Sequence, residues 1–195
     1  MSNQSSIEHE IFYPKNISEW REWLTENHKL KNAVWVVFHT KTSGKPTLSW
    51  SEAVDVALCF GWIDSKKIKV GPTTSHQYFT KRKPKSNWSR INKEKIEKLT
   101  ASGEMTQAGL QAVEIAKQNG SWTILDSVED LIIPTDLEEA LSHHHGAKDF
   151  FMSLSKTIKK MMLYWVVSAK REETRQNRIN EIAQAAAQQQ KPKQF

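Results

Sequence analysis

Residues 49–81 read Ser-Trp-Ser-Glu-Ala-Val-Asp-Val-Ala-Leu-Cys-Phe-Gly-Trp-Ile-Asp-Ser-Lys-Lys-Ile-Lys-Val-Gly-Pro-Thr-Thr-Ser-His-Gln-Tyr-Phe-Thr-Lys, and their order decides the fold class. Ser49 with Glu52 three residues on is a capping box, opening a helix that turns Ala53, Val54, Ala57 and Leu58 inward. Gly61 stops that helix. Trp62 to Val70 and His76 to Lys81 then read as two strands around the turn Gly71-Pro72-Thr73-Thr74. Lys67 and Lys69 alternate with Ile68 and Val70, which predicts one basic face and one buried face.

Working upstream, Ala33 to Phe38 (AVWVVF) is short, apolar and β-branched, as a buried strand is. A turn follows at Thr42 to Pro46. Before it, Ile17 to His28 is a helix with the stripe Ile17, Trp20, Leu24, opened by Asn16 and Glu19 as a capping box. Residues 1–10 are polar and expected to be disordered. Downstream, a basic loop leads into a helix from Trp88 to Ser102 with Trp88, Ile91 and Leu99 on one side, ended by Gly103. The pattern is helical from there on. Thr106 to Asn119 carries Leu110, Val113 and Ala116, and a loop runs through Pro134 to a third capping box, Thr135 with Glu138. Phe150, Phe151 and Leu154 mark a short helix. Ile158, Met161, Met162, Trp165 and Ala169 make a buried stripe at helical spacing, and Arg171 to Gln188 a polar helix facing inward through Ile179, Ile182 and Ala183. The expectation is an α+β chain: an α+β domain with a few-stranded sheet over 11–102, an all-helical part over 103–187, and a disordered low-complexity tail over 188–195.

Composition narrows the function classes. The chain has 195 residues, 38% of them hydrophobic and 26% charged, enough to bury a core. A single cysteine forbids an intramolecular disulfide framework, and Cys59, inside an apolar helical run, reads as a buried structural thiol. No apolar run approaches a membrane span, and the first thirty residues show no secretory signal, so a cytoplasmic protein without an integral membrane segment is expected. His143-His144-His145 points three ways on a helix, and no other metal-ligand spacing is present, so neither metal nor cofactor is expected.

The net charge of +6 is concentrated. Between Lys66 and Lys98 eleven lysines and arginines face only Glu94 and Glu97, a local +9 that leaves −3 for the rest. Such a block suits an anionic partner: a nucleic acid, a nucleotide, a phosphorylated metabolite or an anionic membrane surface. Its densest part, Arg82-Lys83-Pro84-Lys85-Ser86-Asn87-Trp88-Ser89-Arg90, runs into a helix N-terminus, where free N–H groups favour an anion. Arg82 or Arg90 can grip it bidentately, Lys83 and Lys85 add charge, and Ser86 and Ser89 either cap the helix or bind a phosphate. Trp88 either stacks on a base or packs in the core. Gly61, Trp62 and Asp64 flank this candidate site, where Asp64 either orients a basic partner or simply caps. Lys170, Thr174, Arg175 and Arg178 form a second basic face, read either as helix-to-helix ion pairing or as the other wall of a cleft. No nucleophile–base pair is legible, which favours a binding protein over an enzyme. Asp64 with Arg82 acting on a phosphorylated small molecule is the catalytic alternative.

Several separate stretches resemble one family. Cys59 to Ser65 (CFGWIDS), Phe79 to Lys93 (FTKRKPKSNWSRINK), Gly103 to Gly109 (GEMTQAG), Ala116 to Trp122 (AKQNGSW), Phe150-Phe151, and the run from Trp165 through Ala169-Lys170-Arg171 to Thr174-Arg175 and Arg178-Ile179 are similar to the YdeI/OmpD-associated, or bacteriocin-protection, family. The resemblance spans about residues 12–185. The family's Pro-Arg-Lys is replaced here by Thr80-Lys81-Arg82-Lys83, so the arginine is kept and the proline is not. The resemblance implies a link to stress and to survival of bacteriocins or antimicrobial peptides.

Overall fold

A computed structural model describes residues 10–195. Residues 1–9, most of the segment expected to be disordered, lie outside the described residues. The chain divides into two compact units, one through Ser121 and one from Trp122 to Phe195.

The first unit is built on a four-stranded sheet. Its strands are β1 (Ile11–Phe12), β2 (Ala33–His39), β3 (Trp62–Lys69) and β4 (Thr74–Lys81), in the order β1-β2-β4-β3. β4 lies antiparallel to both β2 and β3, and the short β1 adds parallel to β2. Helices α1 (Ile17–Asn27) and α2 (Trp50–Cys59) supply the covering layer. Aromatic side chains fill the space between layers. Trp20 and Trp23 stack 5.3 Å apart, and Phe79 of β4 and Trp62 of β3 meet them edge-on. Buried indoles need an acceptor, and the Trp20 indole donates to the Ala53 carbonyl at 3.0 Å. The expected box at Ser49 and Glu52 closes in both directions. At α1 only half of it forms: Asn16 accepts from the Glu19 N–H, while the Glu19 carboxylate turns to the Lys15 N–H.

The C-terminus of α2 is where the next segment attaches. Gly61 takes φ +71°, and the Cys59 carbonyl accepts both the backbone N–H of Thr106 at 3.1 Å and its hydroxyl at 2.6 Å. Helix α3 (Arg90–Ala101) leads to this contact, and α4 (Gln107–Gln118) departs from it with Gly109 laid against the Cys59 carbonyl. α4 therefore belongs to the first unit, although periodicity alone grouped it with the helical part. Cys59 is fully buried, and burial pushes its thiol pKa up, as a structural thiol requires.

The second unit holds α5 (Asp126–Glu129), α6 (Thr135–Ser142), α7 (Ala147–Ser153), α8 (Lys156–Val167) and α9 (Glu172–Ala187). Leu137, Leu141, Phe151, Met162, Leu163, Val166, Ile179 and Ile182 form its core. The tail expected to be disordered instead returns to this core: the Phe195 ring meets Trp165 edge-on at 5.6 Å, and Pro192 is buried.

Several expectations are corrected. Ile68 and Val70 are 42% and 48% exposed, because β3 is an edge strand whose distal half is open to solvent. Ile91, Leu110 and Met161 also face outward, and the buried stripes run through Ile96 and Leu99, Val113 and Ala116, and Met162, Leu163 and Val166. A helical apolar residue at the margin of a stripe is inside or outside according to its neighbour, which spacing does not contain. The third capping box does not form. Pro134 is the N-cap of α6, and Thr135 is already helical.

A Cβ on Gly109 would sit 2.3 Å from the Cys59 carbonyl oxygen, whereas one on Gly103, at φ +74°, would meet nothing within 4 Å. Gly109→Ala is expected to cost about 3 kcal/mol through backbone overlap, and Gly103→Ala only about 1 kcal/mol of left-handed strain. Urea unfolding of the two variants checks the ratio.

Candidate functional site

The candidate residues separate into three groups. Arg82, Lys83 and Trp88 come together with Pro84 around a cavity of about 150 Å³ whose opposite wall is Ala108 and Ala112 of α4. β4 runs directly into this loop: the Arg82 N–H donates to the Gly61 carbonyl, and the Lys81 N–H to the Asn32 carbonyl. A proline at position 81 could not make the second bond, so the departure from Pro-Arg-Lys is used here. The far side of the loop is pinned just past the C-terminus of α4, where the Asn119 amide and the Ser121 hydroxyl both donate to the Pro84 carbonyl, at 2.7 and 3.3 Å. Within the loop Ser86 donates to the Lys83 carbonyl, and Ser89 caps α3 by accepting the Asn92 N–H. Both serines are thus engaged in local structure. Lys83, Lys85 and Arg90 are exposed, and Trp88 is 2% exposed, a core residue whose ring serves as a floor for Arg82.

Arg82 is the unusual residue. Its guanidinium lies 3.6 Å from the centre of the Trp88 ring, and one Nη donates to the Asn87 carbonyl at 2.6 Å. Its Nε is buried without a hydrogen-bond partner. Burial lowers its pKa to about 10, and Asp64, acting through space, opposes the shift only in part. The side chain stays charged at neutral pH, and among the described residues no carboxylate pairs with it. A largely desolvated cation beside a cavity, with a carboxylate acting on it only through space and none bonded to it, has room for an anion.

Asp64 stands elsewhere. One of its oxygens accepts both the Trp50 indole N–H at 2.8 Å and the Gln77 amide at 3.0 Å. Trp62 is fully buried against Trp23. Sequence reasoning passed over Trp50 and Gln77. A large aromatic at the first position of a capped helix, where polar residues usually stand, was the available signal. Cys59, Gly61, Thr106 and Gly109 likewise prove to be packing and capping residues.

The basic face at 170–178 lies in the second unit and is largely spent on structure. Arg175 grips Asp136 with two bonds of 2.6 and 2.9 Å, and Arg178 donates to the Trp165 carbonyl at the end of α8 with its guanidinium over the Trp165 ring. Lys170 is exposed and Thr174 half-buried. Among the described residues no helix is long and apolar enough to cross a membrane, and no group of His, Cys, Asp or Glu is placed to hold a metal.

The Arg175 hydrogen bonds hold the Asp136 carboxyl below its ordinary 3.8. A lowered folded-state pKa stabilises the fold above the unfolded value and loses that contribution as pH falls through the folded one. Urea midpoints are therefore expected to fall as the pH is lowered from about 5 to below the ordinary carboxyl value. Asp136→Asn should start lower at pH 5 and fall less, and equal losses in the two proteins would exclude this pair as a source of acid sensitivity.

Comparison with known proteins divides the chain in a similar way. Residues 12–112, just over half of the sequence, match the family model of a domain of unknown function, DUF8412. Residues 130–189 match the model described as bacteriocin-protection, YdeI or OmpD-associated. No curated protein and no solved structure gives a significant match. The motifs at 59–65, 79–93 and 103–109 fall inside the first span, and those from Phe150 to Ile179 inside the second. With strands β2 to β4, the Arg82 loop and the start of α4 all within the first match, the chain belongs to the DUF8412 family and carries behind it a YdeI/OmpD-associated, bacteriocin-protection domain.

Proposed function

We propose that this chain is a non-catalytic binding protein whose first unit holds a small anion, a phosphate or phosphorylated metabolite, at Arg82. The observation that carries the reading is the guanidinium itself: stacked on Trp88, unpaired with any carboxylate among the described residues, with an orphaned Nε, at the wall of a 150 Å³ cavity. Lys83 adds a second positive charge at that wall. The bacteriocin-protection domain at 130–189 supports placing this binding in resistance to bacteriocins or antimicrobial peptides.

A ligand that binds only the folded state stabilises it, by about 2.7 kcal/mol at a hundredfold excess over Kd. Inorganic phosphate is expected to raise the melting temperature above that in chloride of equal ionic strength, and Arg82→Gln to abolish the difference. The same variant should fail to restore bacteriocin survival to cells lacking the protein. An equal phosphate effect in Arg82→Gln would refute the site.

One observation favours a second reading, nucleic-acid binding through the block 66–98. Trp35 and Tyr78 face each other across β2 and β4 with rings 4.7 Å apart, and the Lys66 ammonium lies 5.2 Å from both. Paired aromatics beside lysines suit unstacked bases. Titration with single-stranded oligothymidylate should then quench tryptophan fluorescence, with affinity falling as salt rises at about −0.7 per phosphate contacted. Absence of quenching at low salt rejects this reading.

A further inference from the structure

A second and larger cavity of about 490 Å³ opens where the sheet meets the start of α2, and of its lining residues only Lys67 is among the lysines and arginines of the basic block. Its walls are Phe38 and Leu48, both nearly fully buried, with Gln77 and the ring of Trp50. Trp50 is 51% exposed, yet it is not free to turn, because its indole N–H is tied to Asp64. The carboxylate that holds it also holds Gln77, so one anchor sets two walls.

The charges lining this cavity are two ammonium groups and one carboxylate. Lys41 and Lys67 contribute ammonium groups. The carboxylate there, Glu52, is fixed at the helix cap, where it accepts the Ser49 N–H at 2.7 Å and is held in its ionised form by that bond, leaving the two ammonium groups as the lining charges not engaged in the cap. His39 is occupied by the Thr74 hydroxyl and by the edge of Tyr13. Lys67 reaches this side through an irregularity in β3. Asp64 pairs with Phe79 and Lys67 with Gln77, so an extra residue is bulged between them. In a regular strand residues 64 and 66 would share a face. The bulge instead puts Lys67 on the face of Asp64 and leaves Lys66 over Trp35 and Tyr78 on the other.

From this juxtaposition we infer that the cavity at Trp50 binds a flat aromatic anion of one or two rings, its ring against Trp50 and Phe38 and its acidic group toward Lys67 and Lys41. The volume lies within the ordinary range for small-molecule sites, and apolar walls with a few convergent polar groups are the usual makeup of such sites. Asp64 is then a positioning residue that aims the Trp50 ring.

2-Naphthoate is a suitable probe, followed on the full chain by amide and indole N–H chemical shifts. The Trp50 indole signal and the amides of Leu48, Ser75 and Gln77 should move together and saturate. Lys67→Glu and the neutral analogue 2-naphthamide should each weaken binding about tenfold, equivalent to about 1.4 kcal/mol. Trp50→Ala should abolish the shifts while the remaining spectrum shows the fold intact. Arg82→Gln should leave them unchanged, which separates this site from the phosphate site. A still Trp50 signal, or equal affinity for naphthoate and naphthamide, overturns the proposal. So does unchanged affinity in Lys67→Glu.

Discussion

The first unit depends on how the C-terminus of α2 is closed. A helix end leaves carbonyls without intrahelical partners, and burying them unpaired is costly. Here the Cys59 carbonyl takes two bonds from Thr106, the chain reverses at Gly61, and Gly109 permits α4 to lie against the same peptide. A Cβ at Gly61 would itself press on Ala108 and Ala112, so the turn and the helix are fitted to each other. This closure places α4 beside the loop after β4; α4 then supplies a wall of the Arg82 cavity, and Asn119 and Ser121 just past its end supply the two donors that pin Pro84.

The arginines illustrate how geometry separates roles that composition merges. Arg175 and Arg178 have carboxylate or carbonyl partners at the ends of α6 and α8, and their charge is answered inside the second unit. Bidentate pairing of this kind orders a helix junction. Arg82 has an aromatic floor, one carbonyl and an empty Nε. Cation–π contact offsets part of the cost of burying a guanidinium but does not replace a counterion. Both regions are basic in sequence, yet only in the first does a buried guanidinium nitrogen lack a hydrogen-bond partner.

Much of the architecture was legible in local signals. The capping box at Ser49, the stop at Gly61, the turn at Gly71-Pro72 and the apolar run of β2 each encode their own conformation, and these four suffice for an α+β first part. The helical second part followed from periodicity. Apart from the capping boxes at Asn16 and Thr135, the errors share one cause. Ile68, Ile91, Leu110 and Met161 are apolar residues whose burial depends on whether another element covers them, and the ordering of the tail depends on Trp165 being there to receive Phe195.

The sites divide along the same line. Local sequence determined that the chain would carry a basic loop between a strand and a helix and that its cysteine would be structural, because charge, capping and apolar spacing act within a few residues; the helix itself starts at Arg90, two residues after the expected Trp88. Tertiary structure alone decided that Arg82 has no bonded carboxylate while Arg175 is paired, that the Asp64 carboxylate bonds Trp50 and Gln77, and that a bulge sends Lys66 and Lys67 to opposite faces. Each of these is a long-range contact or a register shift. Pairing, desolvation and the facing of a side chain are set by atoms that folding brings near, so no window of sequence contains them.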